Sequence, residues 1–398
     1  MRFSSRVDVT DPNAISLAEA RAKADGMALM KLNDSNPTRH GLAPAGIPNV
    51  YEANPRGPVA ARRALADFLG RDGSGNRDGG PDVNGPVDPD RLYLLSSTSQ
   101  AYSWLIKLLC DPGDVVLAPK PGYPLIESIA RLEAVDVAEY QLLYDGSWMI
   151  DVARIEELLD EYGERARALV LINPNNPTGS YVHPDERERL VRLCAERQVA
   201  IIADEVFFDY ALDPLPGRRR LAGEGGVLTF ALDGFSKMLA APHAKVGWIE
   251  VSGPDSDVAE AMRRLDVIAD DFLPMSDLIA DRIPELLDAA PAQTERVRER
   301  TRGNLDRLRR LLADDDLGIT DVLHAEGGWN VLLRFPSAID ESELVLSLID
   351  RWRATAQPGF FFDMTSNGYV AVSLLPEPAV FEDGVRRLLA AVAAALEA

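Results

Sequence analysis

The sequence predicts an α/β protein: a large unit with a mostly parallel sheet between helices, joined to a smaller α+β unit. Two patterns predict it. Continuous apolar runs of strand length are each followed by a long stretch with apolar residues at helical spacing, as when strands buried on both faces alternate with crossover helices. Beyond about Asp255 the alternation gives way to helix, so a second unit follows the first.

In chain order, Arg91-Leu92-Tyr93-Leu94-Leu95 reads as a strand and leads into a helical stretch ending near Cys110. Val115-Val116-Leu117-Ala118 precedes a second such stretch, Pro124 to Ala134, and Ala168-Leu169-Val170-Leu171-Ile172 precedes a third, Pro184 to Arg197. Ile201-Ile202-Ala203 and Val227-Leu228-Thr229-Phe230-Ala231-Leu232 are further apolar runs. From Arg296 to Leu312 charge is dense and apolar residues recur at helical spacing, and strands are expected near Trp329 to Leu333 and Tyr369 to Ser373. Gly70 to Asp90, rich in Gly, Pro, Asp and Asn, reads as a long exposed loop. The expected division is a large domain over 45–270 and a small domain made of 1–44 and 271–398.

A chain of 398 residues allows two to three domains and an ample core, and 46% hydrophobic with 26% charged residues is a soluble globular composition. No run reaches the apolar length of a membrane span, and Met1 to Ser5 is not followed by a signal-type apolar core, so a cytoplasmic location without a membrane partner is expected. The net charge of -21 argues against nucleic acid as a partner, because phosphate backbones are held by basic surfaces. Cys110 and Cys194 form no CxxC or Cys/His cluster, so they are expected as buried thiols, with neither a disulfide framework nor a metal site.

The chemistry concentrates on Lys237. The chain has only six lysines, and this one follows an apolar run in Gly234-Phe235-Ser236-Lys237. An amine is needed where a carbonyl is captured as a Schiff base, since a guanidinium stays protonated. Three other segments precede it: Ser96-Ser97-Thr98-Ser99-Gln100, Asn173-Pro174-Asn175-Asn176-Pro177-Thr178-Gly179, and Ile201-Ile202-Ala203-Asp204-Glu205-Val206. Each sets its polar residues at the end of an apolar run, and open α/β sheets bind ligands beyond the carboxyl ends of their strands.

In this order the segments resemble those of fold-type I pyridoxal 5'-phosphate (PLP) enzymes, specifically the class I/II aminotransferases, over about Asp34 to Pro376. The resemblance implies PLP on Lys237, Asp204 paired with the pyridinium nitrogen, and Asn176 donating to the ring 3'-oxygen. Ser97, Thr98 and Ser99 stand where the family wraps the phosphate at a helix N-terminus; ordinary N-capping is the alternative. Ser236 is also assigned to cofactor binding, and Tyr123 matches the aromatic that stacks on the ring. Lys245 stands where an arginine usually clamps the phosphate, and lysine can do so as a point charge. Tyr51 resembles the tyrosine that reaches the phosphate from a neighbouring subunit, which implies a homodimer with shared sites.

Three departures bear on function. Phe207 replaces a common tyrosine, so the 3'-oxygen loses a donor, and Gly234 replaces a common phosphate-binding serine. Ala371 stands where the family places the arginine that grips the substrate carboxylate. Arg39, near Asn36 in the segment that relatives fold over the substrate, is the first candidate substitute, with Arg334 another; a solvated loop arginine is the alternative for Arg39. The expected activity is transfer of an amino group from an amino acid or amine to a 2-oxo acid through a Schiff base on Lys237. A PLP lyase, cyclase or decarboxylase is the second reading, and a PLP-binding regulatory domain the third.

Overall fold

A computed structural model of the chain describes residues 1–7, 14–27, 38, 50–70, 86–213 and 215–397. The expected loop from Gly70 to Asp90 lies mostly outside the described residues, as do Asn36 and Arg39.

Eight strands form the large sheet: β1 (Leu92–Leu95), β2 (Val115–Lys120), β3 (Asp136–Tyr144), β4 (Trp148–Ile150), β5 (Ala166–Ile172), β6 (Ala200–Asp204), β7 (Thr229–Gly234) and β8 (Gly247–Ser252). Their order is β1-β8-β7-β6-β5-β2-β3-β4, with β7, β6, β5, β2 and β3 mutually parallel. Antiparallel β8 lies between β1 and β7, and β4 folds back on β3. Alternate residues explain the continuous apolar runs. Val170 and Ile202 enter a core on one face of the sheet, while Leu169, Leu171 and Ile201 enter a core on the other. Cys110 and Cys194 are buried free thiols, as expected.

The second unit carries a four-stranded antiparallel sheet, β9 (Asp321–Val322), β10 (Asn330–Arg334), β11 (Gln357–Pro358) and β12 (Tyr369–Ser373), in the order β11-β12-β10-β9. It packs against the helices Glu341–Trp352 and Pro378–Leu396. The helical stretch expected from Arg296 spans Ile283–Ala313, longer because Pro291 inside it is accommodated instead of ending it.

The run expected at Val227 to Leu232 is strand from Thr229 to Gly234. Asp233 and Gly234 are poor strand formers, yet pairing of Asp233 with Trp248 and of Gly234 with Gly247 extends the strand toward Lys237. The two units meet at Gly179, whose carbonyl accepts from the N–H groups of Glu326 and Gly327 at 3.1 and 2.8 Å. Gly179 has φ +72°, and a Cβ there would lie 2.6 Å from the Gly327 carbonyl oxygen, so glycine is required on both counts. Among the described residues no helix is long and apolar enough to cross a membrane.

Candidate active site

The carboxyl ends of β5, β6 and β7 open onto one cavity of about 1090 Å³, closed on the other side by residues of β10, β12 and the segment Arg353 to Gln357. Ser97, Thr98, Ser99, Tyr123, Asn176, Asp204, Phe207, Gly234, Ser236, Lys237, Lys245 and Ala371 all line it. Tyr51 does not. It is exposed, and its backbone N–H donates to Thr38 Oγ1 at 2.7 Å. Arg334 is exposed and paired with Asp321 at 3.2 Å, so it takes no part in the cavity wall.

Lys237 lies in the short helix Phe235–Met238 directly after β7. Its Nζ stands 5.4 Å from the centre of the Phe207 ring and 5.3 Å from that of Trp329. Burial against these rings lowers the ammonium's pKa, opposed by the charge of Asp204. The free amine is therefore more accessible here than at a surface lysine. Phe207 and Trp329 are themselves held in T-shaped contact at 5.4 Å, which fixes the walls beside the amine.

Asp204 ends β6. Its Oδ2 accepts from the Tyr102 hydroxyl at 2.9 Å and its Oδ1 from the Val206 N–H at 3.3 Å. Burial pushes this carboxyl up to about 6, with the Tyr102 bond, the Val206 N–H and Lys237 acting in the opposite direction. Asn176 Oδ1 accepts from Asn330 Nδ2 at 2.9 Å, which leaves the Asn176 amide nitrogen as a donor.

Across the cavity the helix Thr98–Leu109 begins at Ser97, whose hydroxyl accepts from the Gln100 N–H at 3.2 Å. Capping is thus one real role of Ser97, while Thr98, Ser99, Ser236 and the exposed Lys245 line the same cavity. Gly247 permits β8 to pass close beneath this helix start, since a Cβ there would lie 3.1 Å from the Ser97 carbonyl carbon. A helix N-terminus, hydroxyls and a cation together suit an anion.

Gly234 has a steric cause. A Cβ would lie 2.8 Å from the Val246 carbonyl oxygen and 3.1 Å from Gly247 Cα, so a serine side chain has no room where the strands pair. Ala371 is buried in β12, paired with Leu332 and Gln357.

Tyr102, Trp329 and Asn330 were not read as site residues from sequence. Tyr102 had a usable signal, because it lies four residues after Thr98 on the same helix face. Asn330 did too, as the one amide among the apolar residues of β10. Glu205, beside Asp204 in the chain, points to a different environment: its carboxylate accepts from Asn173 Nδ2 at 3.0 Å and the Leu221 N–H at 2.7 Å.

The donor set suits a molecule with an aldehyde for Lys237, a basic ring nitrogen for Asp204 and a phosphate for the helix start. Residues 51–382 match the family model described as aminotransferase class I and II. The chain is 28% identical over 260 residues to an alanine aminotransferase of Mycobacterium tuberculosis, covering 63% of this chain and 58% of that protein. It is 28% identical over 242 residues to an S-alkyl-thiohydroximate lyase of Arabidopsis thaliana, covering 59% and 48%. These matches span about half the length of the curated relatives. In fold the chain resembles the alanine aminotransferase structure from Pyrococcus furiosus, with a TM-score of 0.75, 18% identity and coverage of 99% and 100%. With its motif-bearing residues gathered on one cavity and the family pattern matched over 51–382, the chain belongs to the class I and II aminotransferases, a PLP-dependent family.

Proposed function

We propose that this protein is a PLP-dependent aminotransferase that moves an amino group from an amino acid or amine to a 2-oxo acid. The observation that carries the reading is the pairing, in one cavity, of an amine whose pKa is lowered by burial with a carboxylate at the neighbouring strand end. Bound PLP would supply an electron sink for charge developing at the donor's Cα. Lys237 would hold the cofactor through its amine and, once the donor's amine takes its place, accept the proton from the donor's Cα and deliver it to the cofactor's former aldehyde carbon. Asp204 would pair with the ring nitrogen, Asn176 would donate to the ring oxygen, Tyr123 would cover the ring, and Ser97, Thr98, Ser99, Ser236 and Lys245 would hold the phosphate.

Borohydride reduction of the loaded protein followed by peptide mapping tests the assignment: label is expected on Lys237 and absent from Lys237→Ala. Label on another lysine would refute it. A second reading, a lyase, cyclase or decarboxylase outcome, is favoured by Ala371 in place of a carboxylate-binding cation and by the lyase among the relatives. A donor screen separates the two, since only transamination leaves the cofactor in its amine form with a keto product.

A cytoplasmic location and the division into 45–270 and 1–44 with 271–398 belong to the same proposal, as does a homodimer in which Tyr51 is lent to the neighbouring site. Supporting the loan, Tyr51 is 41% exposed and does not line the cavity of its own chain. Mixed subunits carrying Lys237→Ala and Tyr51→Phe should recover part of the activity, because one hybrid site is intact; an active monomer in light scattering would exclude it.

A further inference from the structure

We propose that Tyr102 is a positioning residue for the cofactor's ring nitrogen: its hydroxyl holds the Asp204 carboxylate in orientation and in the ionised state. The inference rests on the assignment of Asp204 to that nitrogen. Tyr102 is 2% exposed, lines the cavity, and gives its single proton to Asp204 Oδ2 at 2.9 Å. A phenol has no other proton to offer, and burial raises its own pKa well above the ordinary value, so it stays a donor.

The need for such a donor follows from the surroundings of Asp204. The groups that face it are Tyr102 from the helix Thr98–Leu109, the Val206 N–H at 3.3 Å from the turn after β6, and the charge of Lys237 from the short helix after β7. Tyr140 lies near Tyr102 but spends its hydroxyl on the Val170 carbonyl oxygen at 2.8 Å, so it does not compete. Against burial, which favours the protonated acid, the shorter of the two hydrogen bonds to Asp204 is the one from Tyr102. A protonated Asp204 would meet a pyridinium N–H with no charge and with one oxygen turned into a donor. An ionised one, tied at Oδ2 by Tyr102 and only loosely at Oδ1 by Val206, keeps acceptor capacity for a ligand N–H.

The substitution is Tyr102→Phe, which removes one oxygen atom and keeps the ring in the core. Aspartate labelled with 13C at Cγ, with Asp204→Asn to identify the signal, reports the titration of this carboxyl in the protein without cofactor. The Asp204 midpoint is expected to rise by about one unit, a tenfold change in the protonation constant. In parallel, PLP affinity measured by fluorescence should fall about threefold at pH 6.5 and be unchanged at pH 8.5, as expected for the lost ionised fraction. A purely structural Tyr102 would lower Tm while leaving the midpoint, and the pH dependence of PLP affinity, where they are in the parent; that result overturns the proposal. Should the midpoint move while the parent binds no PLP at any pH, the reading of the function fails and the control of Asp204 by Tyr102 stands.

Discussion

Glu205→Ala separates the two acidic residues that the sequence sets side by side. Glu205 is 1% exposed, and its carboxylate accepts from Asn173 Nδ2 at 3.0 Å, the Leu221 N–H at 2.7 Å and the Ala222 N–H at 3.4 Å, with Arg220 at 3.9 Å. Asn173 in turn accepts from the Val182 N–H at 3.0 Å, so Glu205 braces both ends of the loop that carries Asn176. Truncation leaves three donors without their acceptor, each worth about 1–3 kcal/mol, and strips Arg220 of one counter-charge. Removing one member of a buried charged set costs about 3–5 kcal/mol, and the losses overlap, so a destabilisation of about 4 kcal/mol is expected. At about 2.1 cal/mol/K per residue over 398 residues, that is a fall in Tm of about 5 °C, measured by calorimetry on the protein without cofactor. Glu205→Gln, which keeps one acceptor oxygen, should lose about half as much. A Tm for Glu205→Ala within about 1 °C of the parent would refute the reasoning, because it would mean that the loop and the Leu221 to Ala222 backbone are held by something else.

Asp204→Asn should behave oppositely in the same protein without cofactor. Asp204 is pushed up to about 6, above an unfolded value of about 3.9, so the folded state binds more protons in that window and stability is lost as pH rises through it. Asparagine does not titrate, so Asp204→Asn should gain on the parent by about 2–3 kcal/mol between pH 4 and pH 7; a flat difference across that range would contradict the raised carboxyl. Gly234→Ser, which restores the hydroxyl common in the family, should destabilise by about 1–3 kcal/mol, and Gly234→Ala by as much, because the Cβ is what meets Val246 and Gly247. Equal stability of Gly234→Ser and the parent in urea unfolding would show that the strands yield.

How much was legible in the sequence differs by element. β12 was read to the residue, and β1, β2, β5 and β6 were found because a strand covered on both faces is apolar at every position, a local signal. The hairpin β3–β4 went unread although Asp145-Gly146 marks its turn, since β3 at the sheet's margin mixes exposed and buried residues. That Lys237, Asp204 and Asn176 come together on one cavity was legible because each follows the end of a strand signal.

What the sequence by itself determined is therefore the set of strand ends and the chemistry of the residues placed there, both of which depend on neighbours within a few positions. What only the tertiary structure decided is which side chains meet across that edge: Tyr102 with Asp204, Asn330 with Asn176, the aromatic walls beside Lys237, and the lack of room at Gly234. Each of these pairs residues separated in the chain, and their meeting is set by the strand order β1-β8-β7-β6-β5 and by the packing of the second sheet over it. Adjacent residues illustrate the same division. Asp204 and Glu205 are neighbours of like charge, yet the alternation of a strand end sends one to the cavity and the other into a buried network with Arg220.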